Sequence, residues 1–293
     1  MFIYETSERS NSINQVQKLL DNSEVLFFID FEGYTVKDEK ISLLLDRAKY
    51  IGDKKTNNLE LYRYILNQIG KQFVIKKEFA KSLQVPWYFI VYTEKGYSIV
   101  IDMLNEGEEI AKFDSFEKFG NWTLQFRQYR MRSRYEESGL PEIDIKLREV
   151  GTPWPGNLDK ALCIDGKVVA LIEYQKTSKS SVRKHDNNNF FANSYTFNEK
   201  ENKFVISRKG DEYRWKVLHE FSLQSQLPIL VIVWSEVENT VGLKIINDIT
   251  YTKNPSEDNF IKDQKSGISW REIRYVDLKD VENSIIEMLE LKN

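Results

Sequence analysis

The sequence predicts an α/β protein, because helical and strand periodicities both occur along its 293 residues. Apolar residues recur at helical spacing in several segments, among them residues 57–70. Short apolar runs of strand length, such as residues 228–234, occur between these segments. Residues 93–96 and 165–167 are turn sequences that each separate two such runs, which predicts β-hairpins. A mixed sheet flanked by helices accounts for all of these observations.

Composition excludes several kinds of site. The formal net charge is −3, so a nucleic-acid site would have to be a local basic patch. The single cysteine, Cys163, excludes an intramolecular disulfide, and two histidines are too few for an all-histidine zinc site. The N-terminal residues do not resemble a signal peptide, and no apolar run approaches the ~20 residues of a membrane span. We therefore expect a cytoplasmic protein with no membrane partner.

The first region, residues 1–115, is predicted to be an α+β domain with a recognition or regulatory role. We expect helices over 11–21, 38–51 and 57–70, and strands over 25–29, 87–92 and 97–103.

The second region, residues 116–293, has a more regular order of elements. We expect a helix over 121–137, strands over 142–150, 158–164 and 168–176, a helix over 211–226 and a strand over 228–235. Strands near 203–207, 241–246 and 270–276 and a helix from about 279 complete the region. Residues 121–235 therefore follow the order helix, strand, strand, strand, helix, strand.

Polar residues occupy the ends of the second hairpin. Asp159 begins one strand, while Glu173 and Gln175 follow the apolar run of the other. Side chains alternate along a strand, so Glu173 and Gln175 share a face. A polar pair that ends a buried strand is costly unless it has partners. This hairpin is therefore the candidate site.

The length of the hairpin turn decides whether Asp159 joins the other two residues. A three-residue turn places Asp159 opposite Glu173, with Cβ atoms about 4.5–5.5 Å apart. A divalent cation would then relieve the repulsion between the carboxylates. A two-residue turn places Asp159 opposite Ile172, and the site fails unless a bulge intervenes. Gly166 suits the three-residue turn, which we favour.

The segments GNLD (156–159) and EYQK (173–176) resemble the signature of the PD-(D/E)XK nucleases. The order of elements over 121–235 is similar to the αβββαβ core of that restriction-endonuclease-like superfamily. Two departures are present. Leu158 stands where the signature has proline, and Gln175 stands where it has lysine, although some members carry Glu-x-Gln.

The resemblance implies a metal-dependent endonuclease that hydrolyses DNA phosphodiester bonds in a restriction or defence setting. Asp159 and Glu173 would bind Mg²⁺ or Mn²⁺. Gln175, with Lys176 as a further catalytic candidate, would position the attacking water. Glu136 or Glu137 of the first helix is a candidate for an additional acid. DNA is favoured over RNA, and a homodimer is expected by analogy with restriction enzymes, although the sequence shows no interface.

Basic and amide side chains that follow the motif are the candidate nucleic-acid contacts. They are Lys179, Arg183, Lys184, His185 and Asn187, together with Arg130 of the preceding helix. The alternative interpretation is a solvated polar loop, because Asp186, Glu199 and Glu201 lie nearby in the sequence.

Three alternative functions remain open. Gln175 is also compatible with a non-catalytic nucleic-acid-binding protein on a degenerate nuclease fold. The sequence does not distinguish a DNA from an RNA substrate. Asp30 and Glu32, in FFIDFEGYT, resemble the first motif of DEDD-type exonucleases, but the predicted helix at 38–51 replaces the antiparallel strand expected next.

Overall fold

A computed structural model describes residues 2–3, 15–50, 58–127, 141–177, 181–187, 194–199, 201–208, 212–250 and 267–290. The chain groups into two compact units. Unit 1 consists of Met1–Val169 with Leu223–Gln226, and unit 2 of Ala170–Ser222 with Leu227–Asn293. Each combines helices with a mixed sheet, so the predicted α/β class is confirmed. The domain boundary near residue 115 stays a prediction. No helix among the described residues is long and apolar enough to cross a membrane.

Unit 1 contains a sheet whose strand order is β7-β2-β3-β4-β5-β6, with β1 paired to β3. Strands β3 and β4 are parallel, and the other paired strands are antiparallel. The strands are β1 (Phe2–Ile3), β2 (Phe27–Lys37), β3 (Lys40–Tyr50), β4 (Trp87–Tyr92), β5 (Ser98–Asp102), β6 (Glu108–Phe113) and β7 (Gly156–Ile164). The helices are α1 (Gln15–Asp21), α2 (Asn58–Ile69), α3 (Gln72–Leu83), α4 (Phe116–Thr123) and α5 (Glu142–Glu149).

Unit 2 contains a second mixed arrangement of strands, in the order β8-β11-β12-β13. Strands β8 and β11 are parallel, β12 is antiparallel to both its neighbours, and β9 and β10 form a separate hairpin. The strands are β8 (Lys167–Lys176), β9 (Ser194–Asn198), β10 (Lys203–Arg208), β11 (Ile229–Trp234), β12 (Thr240–Thr250) and β13 (Gly267–Asp277). The helices are α6 (Glu212–Ser225) and α7 (Val281–Met288). The first residues of β8 and the last of α6 belong to unit 1.

The helix predicted over 38–51 is wrong, because this segment forms strand β3. Asp38 and Glu39 both have positive φ, at 52° and 59°, and turn the chain tightly from β2 into an antiparallel partner. Most of β3 is buried, so its apolar residues do not show strict alternation. A fully buried strand and a helix have similar apolar patterns over this length.

The strand predicted over 142–150 is also wrong, because this segment forms helix α5. Ile143 and Leu147 are both fully buried and are separated by four residues, which is a helical repeat. The first turn carries acidic residues and the last turn basic ones, as the helix dipole favours. The predicted run of three strands in 121–235 is therefore interrupted here.

Of the helix predicted over 121–137, the structure describes residues 121–127, which do not continue as one α-helix. Helix α4 begins at Phe116 and ends at Thr123, and a 3-10 turn follows over Leu124–Phe126. Ser115 caps α4, since its side chain accepts a hydrogen bond from the backbone of Lys118. Residues 128–140 lie outside the described part of the chain.

A buried ion pair connects α3 to the strands of unit 1. Lys76 and Asp46 are both completely buried, and the Lys76 Nζ atom lies 3.0 and 3.1 Å from the two carboxylate oxygens. The indole of Trp87 donates a 2.8 Å hydrogen bond to the same carboxylate. Lys76 also lies over the Phe31 ring. Asp46 thus has a counter-charge and hydrogen-bond donors inside the fold.

We expect Lys76→Met to lower the free energy of unfolding by about 3–5 kcal/mol, because it leaves Asp46 as a buried charge without its cation. Lys81→Met is the matched control. Lys81 lies on the same helix and pairs with Glu78, but both side chains are more than half exposed. Its loss should cost less than about 1 kcal/mol. Urea unfolding followed by tryptophan fluorescence measures the stability of both variants. Equal urea midpoints for Lys76→Met and Lys81→Met would contradict the role given to Lys76.

Candidate active site at the end of strand β8

Glu173 stands at the carboxyl end of a buried parallel strand. β8 pairs with β11 so that Glu173 lies beside Val231 and Gln175 beside Val233. Every residue of β11 is buried, as is typical of an internal parallel strand. The connection from β8 to β11 contains α6. In α/β sheets, ligand sites lie outside the carboxyl ends of such strands.

The carboxylate of Glu173 is held by two side chains. The Nη1 atom of Arg214 lies 2.6 Å from Oε1, and Nη2 donates a 2.7 Å hydrogen bond to Oε2. The Nε2 atom of Gln175 donates a 2.6 Å hydrogen bond to Oε1. Glu173 is 2% exposed, so this fork of donors compensates a charge that is withdrawn from water.

This arrangement can bind a cation at Glu173, and in the structure the cation is the guanidinium of Arg214. Within the described ranges, no group of three or more acidic, histidine or cysteine residues is arranged to hold a metal ion. Mg²⁺ is commonly held by one or two carboxylates and completes its coordination with water or substrate.

The predicted three-residue turn between β7 and β8 is wrong. β7 ends at Ile164 and β8 begins at Lys167, so the turn consists of Asp165 and Gly166. Their φ angles are 50° and 74°, and a two-residue type I′ turn requires positive values at both positions. The Asp-Gly pair itself selects this turn. A regular ladder from it places Asp159 opposite Ile172.

Strand β7 is irregular at Asp159, however. Ala161 pairs with Ile29 of β2 and Leu158 with Phe31, so β7 has one more residue than β2 between these pairs. Asp159 lies in this bulge and is partly buried. A bulge re-aims the side chains around it, so counting residues from the turn no longer fixes the direction of Asp159. Its association with Glu173 stays a prediction.

Lys176 lies away from the Glu173 carboxylate. Its Nζ atom is 2.5 Å from the Glu236 carboxylate and lies over the Trp234 ring, with 5.4 Å to the centroid. This agrees with strand alternation, which directs Lys176 to the face opposite Gln175.

The candidate nucleic-acid contacts that the structure describes lie on a 3-10 segment, Val182–Asn187. Arg183 is exposed, with its guanidinium 4.5 Å from the centroid of the Tyr275 ring, and Lys184 is exposed beside it. His185 is buried, and its Nδ1 atom lies 3.4 Å from Nζ of Lys244. Lys179, Arg130, Glu136, Glu137 and the side chain of Asn187 lie outside the described residues.

Asp30 and Glu32, the alternative acidic pair, belong to an ion cluster inside unit 1. Asp30 lies 3.4 Å from Lys76 and 4.0 Å from Lys160, and Glu32 lies 3.4 Å from Arg47. The antiparallel strand that the DEDD-type alternative needs does follow, since β3 replaces the predicted helix. The acids nevertheless face the protein's own cations.

The ion cluster of unit 1 contains four acids and three cations. They are Asp30, Glu32, Asp46 and Asp144 against Arg47, Lys76 and Lys160. Burial raises the pKa of Glu32 to about 8, against the lowering effect of Arg47. Burial also raises the pKa of Asp30, but Lys76 and Lys160 outweigh it and bring it below its ordinary value. A neutral Glu32 leaves three negative charges against three positive ones.

Arg214 is the residue of the site that the sequence analysis missed. It lies 41 positions from Glu173 in the chain and among the aromatic and basic residues of α6. A basic residue on the helix after β8 could have been predicted to reach Glu173, since a helix that connects two parallel strands packs against their sheet. That prediction would not identify which of the basic residues on α6 faces the acid.

Comparisons with known proteins do not assign a family. No protein-family model matches the chain, and no curated protein matches it. A solved structure described as the crystal structure of the sex pheromone staph-cAM373 precursor has 11% sequence identity. The similarity covers 92% of this chain and 84% of that one, with a TM-score of 0.18. A TM-score this low carries no argument about fold or function.

We expect the free energy of unfolding of Glu32→Gln to rise relative to that of the wild type as pH rises. With a folded-state pKa of about 8 and an ordinary value of 4.5, Glu32 binds more protons in the folded state than in the unfolded state between these values. Its contribution to stability is therefore lost as pH rises, at up to ~1.4 kcal/mol per pH unit, and glutamine does not titrate.

Urea unfolding of both proteins from about pH 5 to pH 9 measures this difference. Glu78→Gln, at an exposed position on α3, controls for the loss of a carboxylate. A difference between Glu32→Gln and wild type that stays constant over this range would show that Glu32 is ionised in the folded protein.

Proposed function

We propose that this protein is a metal-dependent nuclease that hydrolyses phosphodiester bonds, with Glu173 at the centre of its active site. The observation that carries the proposal is a carboxylate, 2% exposed, at the carboxyl end of β8, where it is already paired with a positive charge. Burial of an acid at this position is costly unless a cation is part of the site. The EYQK motif places the same glutamate in the PD-(D/E)XK signature.

The donor set fits a hard divalent cation. Glu173 offers two carboxylate oxygens, and the sequence motif adds Asp159 as the second acidic ligand. Mg²⁺ or Mn²⁺ held there would supply Lewis-acid chemistry at the scissile phosphate. Arg214 lies within 2.6 Å of the same carboxylate and keeps its charge compensated without the ion.

Gln175 is the proposed positioning group for the nucleophile. Its amide is fixed beside Glu173 by the 2.6 Å hydrogen bond, and an amide can both donate and accept. It would therefore orient a water without removing its proton. Lys176, which pairs with Glu236, would have to leave that partner to contribute.

DNA is the proposed substrate, and the setting proposed from the motif is restriction or another form of defence. The exposed Arg183 and Lys184 are the described residues proposed to contact the nucleic-acid backbone, because phosphate contacts are made mainly by such side chains. A homodimer and a cytoplasmic location belong to the same proposal.

The second candidate is a non-catalytic nucleic-acid-binding protein on a related fold. The observation that favours it is the same Arg214 fork, because it satisfies Glu173 without any metal. Both candidates place nucleic acid at unit 2, and they differ in whether a bond is broken.

We expect Mg²⁺- or Mn²⁺-dependent cleavage by the wild type that Glu173→Gln lowers by at least ~100-fold, since even groups that support metal ligands contribute ~10–100-fold. Supercoiled DNA and single-stranded RNA, each incubated with either metal, reveal the substrate class. Asp248→Asn, which removes an exposed acid on β12, is the control and should keep full activity.

Cleavage that survives Glu173→Gln but is lost in Asp30→Asn would move the active site to unit 1. Binding of DNA without any cleavage, on substrates of varied sequence, would favour the non-catalytic candidate.

A further inference from the structure

The ion pair between Arg214 and Glu173 joins a buried acid to a partly exposed base. The Glu173 side chain is 3% exposed, whereas the Arg214 side chain is 32% exposed. The acid is fixed inside the unit by the strand that carries it. The guanidinium stands at the end of a long side chain and has access to solvent. Only the arginine can therefore leave the pair without rearrangement of the sheet.

A divalent cation at Glu173 would compete directly with this arginine. The two guanidinium nitrogens occupy both carboxylate oxygens, at 2.6 Å from Oε1 and 2.7 Å from Oε2. A metal ion that coordinates either oxygen would bring a second positive charge into contact with the guanidinium. Like charges at this distance repel strongly in a buried site. Cation binding would therefore displace Arg214.

A phosphodiester offers the guanidinium an equivalent partner. Its two non-bridging oxygens match the forked donors of arginine in the same way as a carboxylate does. Because Arg214 is anchored on α6 beside Glu173, its displaced guanidinium stays within a side-chain length of the ion. A phosphate bound to that ion would meet it there.

We propose that Arg214 is a phosphate-binding residue that Glu173 holds until a divalent cation takes its place. This inference rests on the proposed function, in which Glu173 binds metal at a phosphodiester. Arg214 of the wild-type protein would then bind a nucleic-acid phosphate only when the metal is present. Arg214 would keep the acid neutralised in the metal-free protein and the substrate phosphate neutralised in the loaded one.

Binding of a fluorescent single-stranded DNA oligonucleotide in EDTA tests the inference without any cleavage. Glu173→Gln replaces the carboxylate with a neutral amide and so removes the charge that holds Arg214. We expect it to bind the oligonucleotide about tenfold more tightly than the wild type, as expected for a released charged hydrogen-bond donor. The double variant Glu173→Gln/Arg214→Ala should lose this gain.

Two controls separate a specific contact from net charge. Asp248→Asn removes an exposed acid from unit 2 and should give no comparable gain. Arg271→Ala, at an exposed position on β13, combined with Glu173→Gln should keep most of it. The inference is overturned if Glu173→Gln binds no more tightly than the wild type, or if the gain survives the loss of Arg214.

Mn²⁺ binding measured by calorimetry provides a second readout. We expect Arg214→Ala to bind Mn²⁺ about tenfold more tightly than the wild type, because the competing cation is gone. Weaker binding in Arg214→Ala would overturn the competition. If neither protein binds Mn²⁺, the metal-dependent function fails, while the oligonucleotide comparison still decides whether Arg214 binds phosphate.

Discussion

A carboxylate that leaves water during folding needs a cation, and this constraint shapes both units in the same way. In unit 1, Asp46 on β3 is met by Lys76 on α3, and the chain then enters β4, which is parallel to β3. In unit 2, Glu173 on β8 is met by Arg214 on α6, and the chain then enters β11, parallel to β8. In each case an acid on the first of two parallel strands is paired by the helix that connects them. The pairing therefore fixes the position of that helix as well as neutralising the charge.

The two pairs differ in what they leave accessible. Lys76 and Asp46 are both completely buried, Phe31 lies against the lysine, and Trp87 donates a hydrogen bond to the acid, so this pair is enclosed by the protein. Arg214 is partly exposed and faces an acid beside a second polar side chain. The same kind of ion pair is thus enclosed in unit 1, whereas in unit 2 its arginine remains partly exposed to solvent. This difference is why the proposed active site lies at β8 rather than among the acids of β2.

The sequence predicted those parts of the site that one strand determines. The apolar run of β8 and the wholly apolar β11 could be recognised, as could the shared face of Glu173 and Gln175. The secondary structure of short segments was harder to predict. The sequences of β3 and α5 each fit both a helical and a strand pattern, and only their packing in the fold decides between the two. The turn after β7 was predicted with three residues because Gly166 suits that turn too, whereas positive φ at both Asp165 and Gly166 gives the two-residue turn that an Asp-Gly pair favours. Arg214 could not be assigned, since its contact with Glu173 depends on how α6 packs.

Two tryptophans of unit 1, Trp87 and Trp154, contact members of its buried ion cluster. The Trp87 indole donates to the Asp46 carboxylate, and the Trp154 indole donates to the Glu32 backbone carbonyl at 2.7 Å. The Trp154 ring also lies 4.4 Å from the Arg47 guanidinium carbon. Indole N–H resonances are well separated in nuclear magnetic resonance spectra and shift with the charge of a hydrogen-bond acceptor. The Trp87 indole is therefore an intrinsic spectroscopic reporter of the charge on Asp46 that needs no added label.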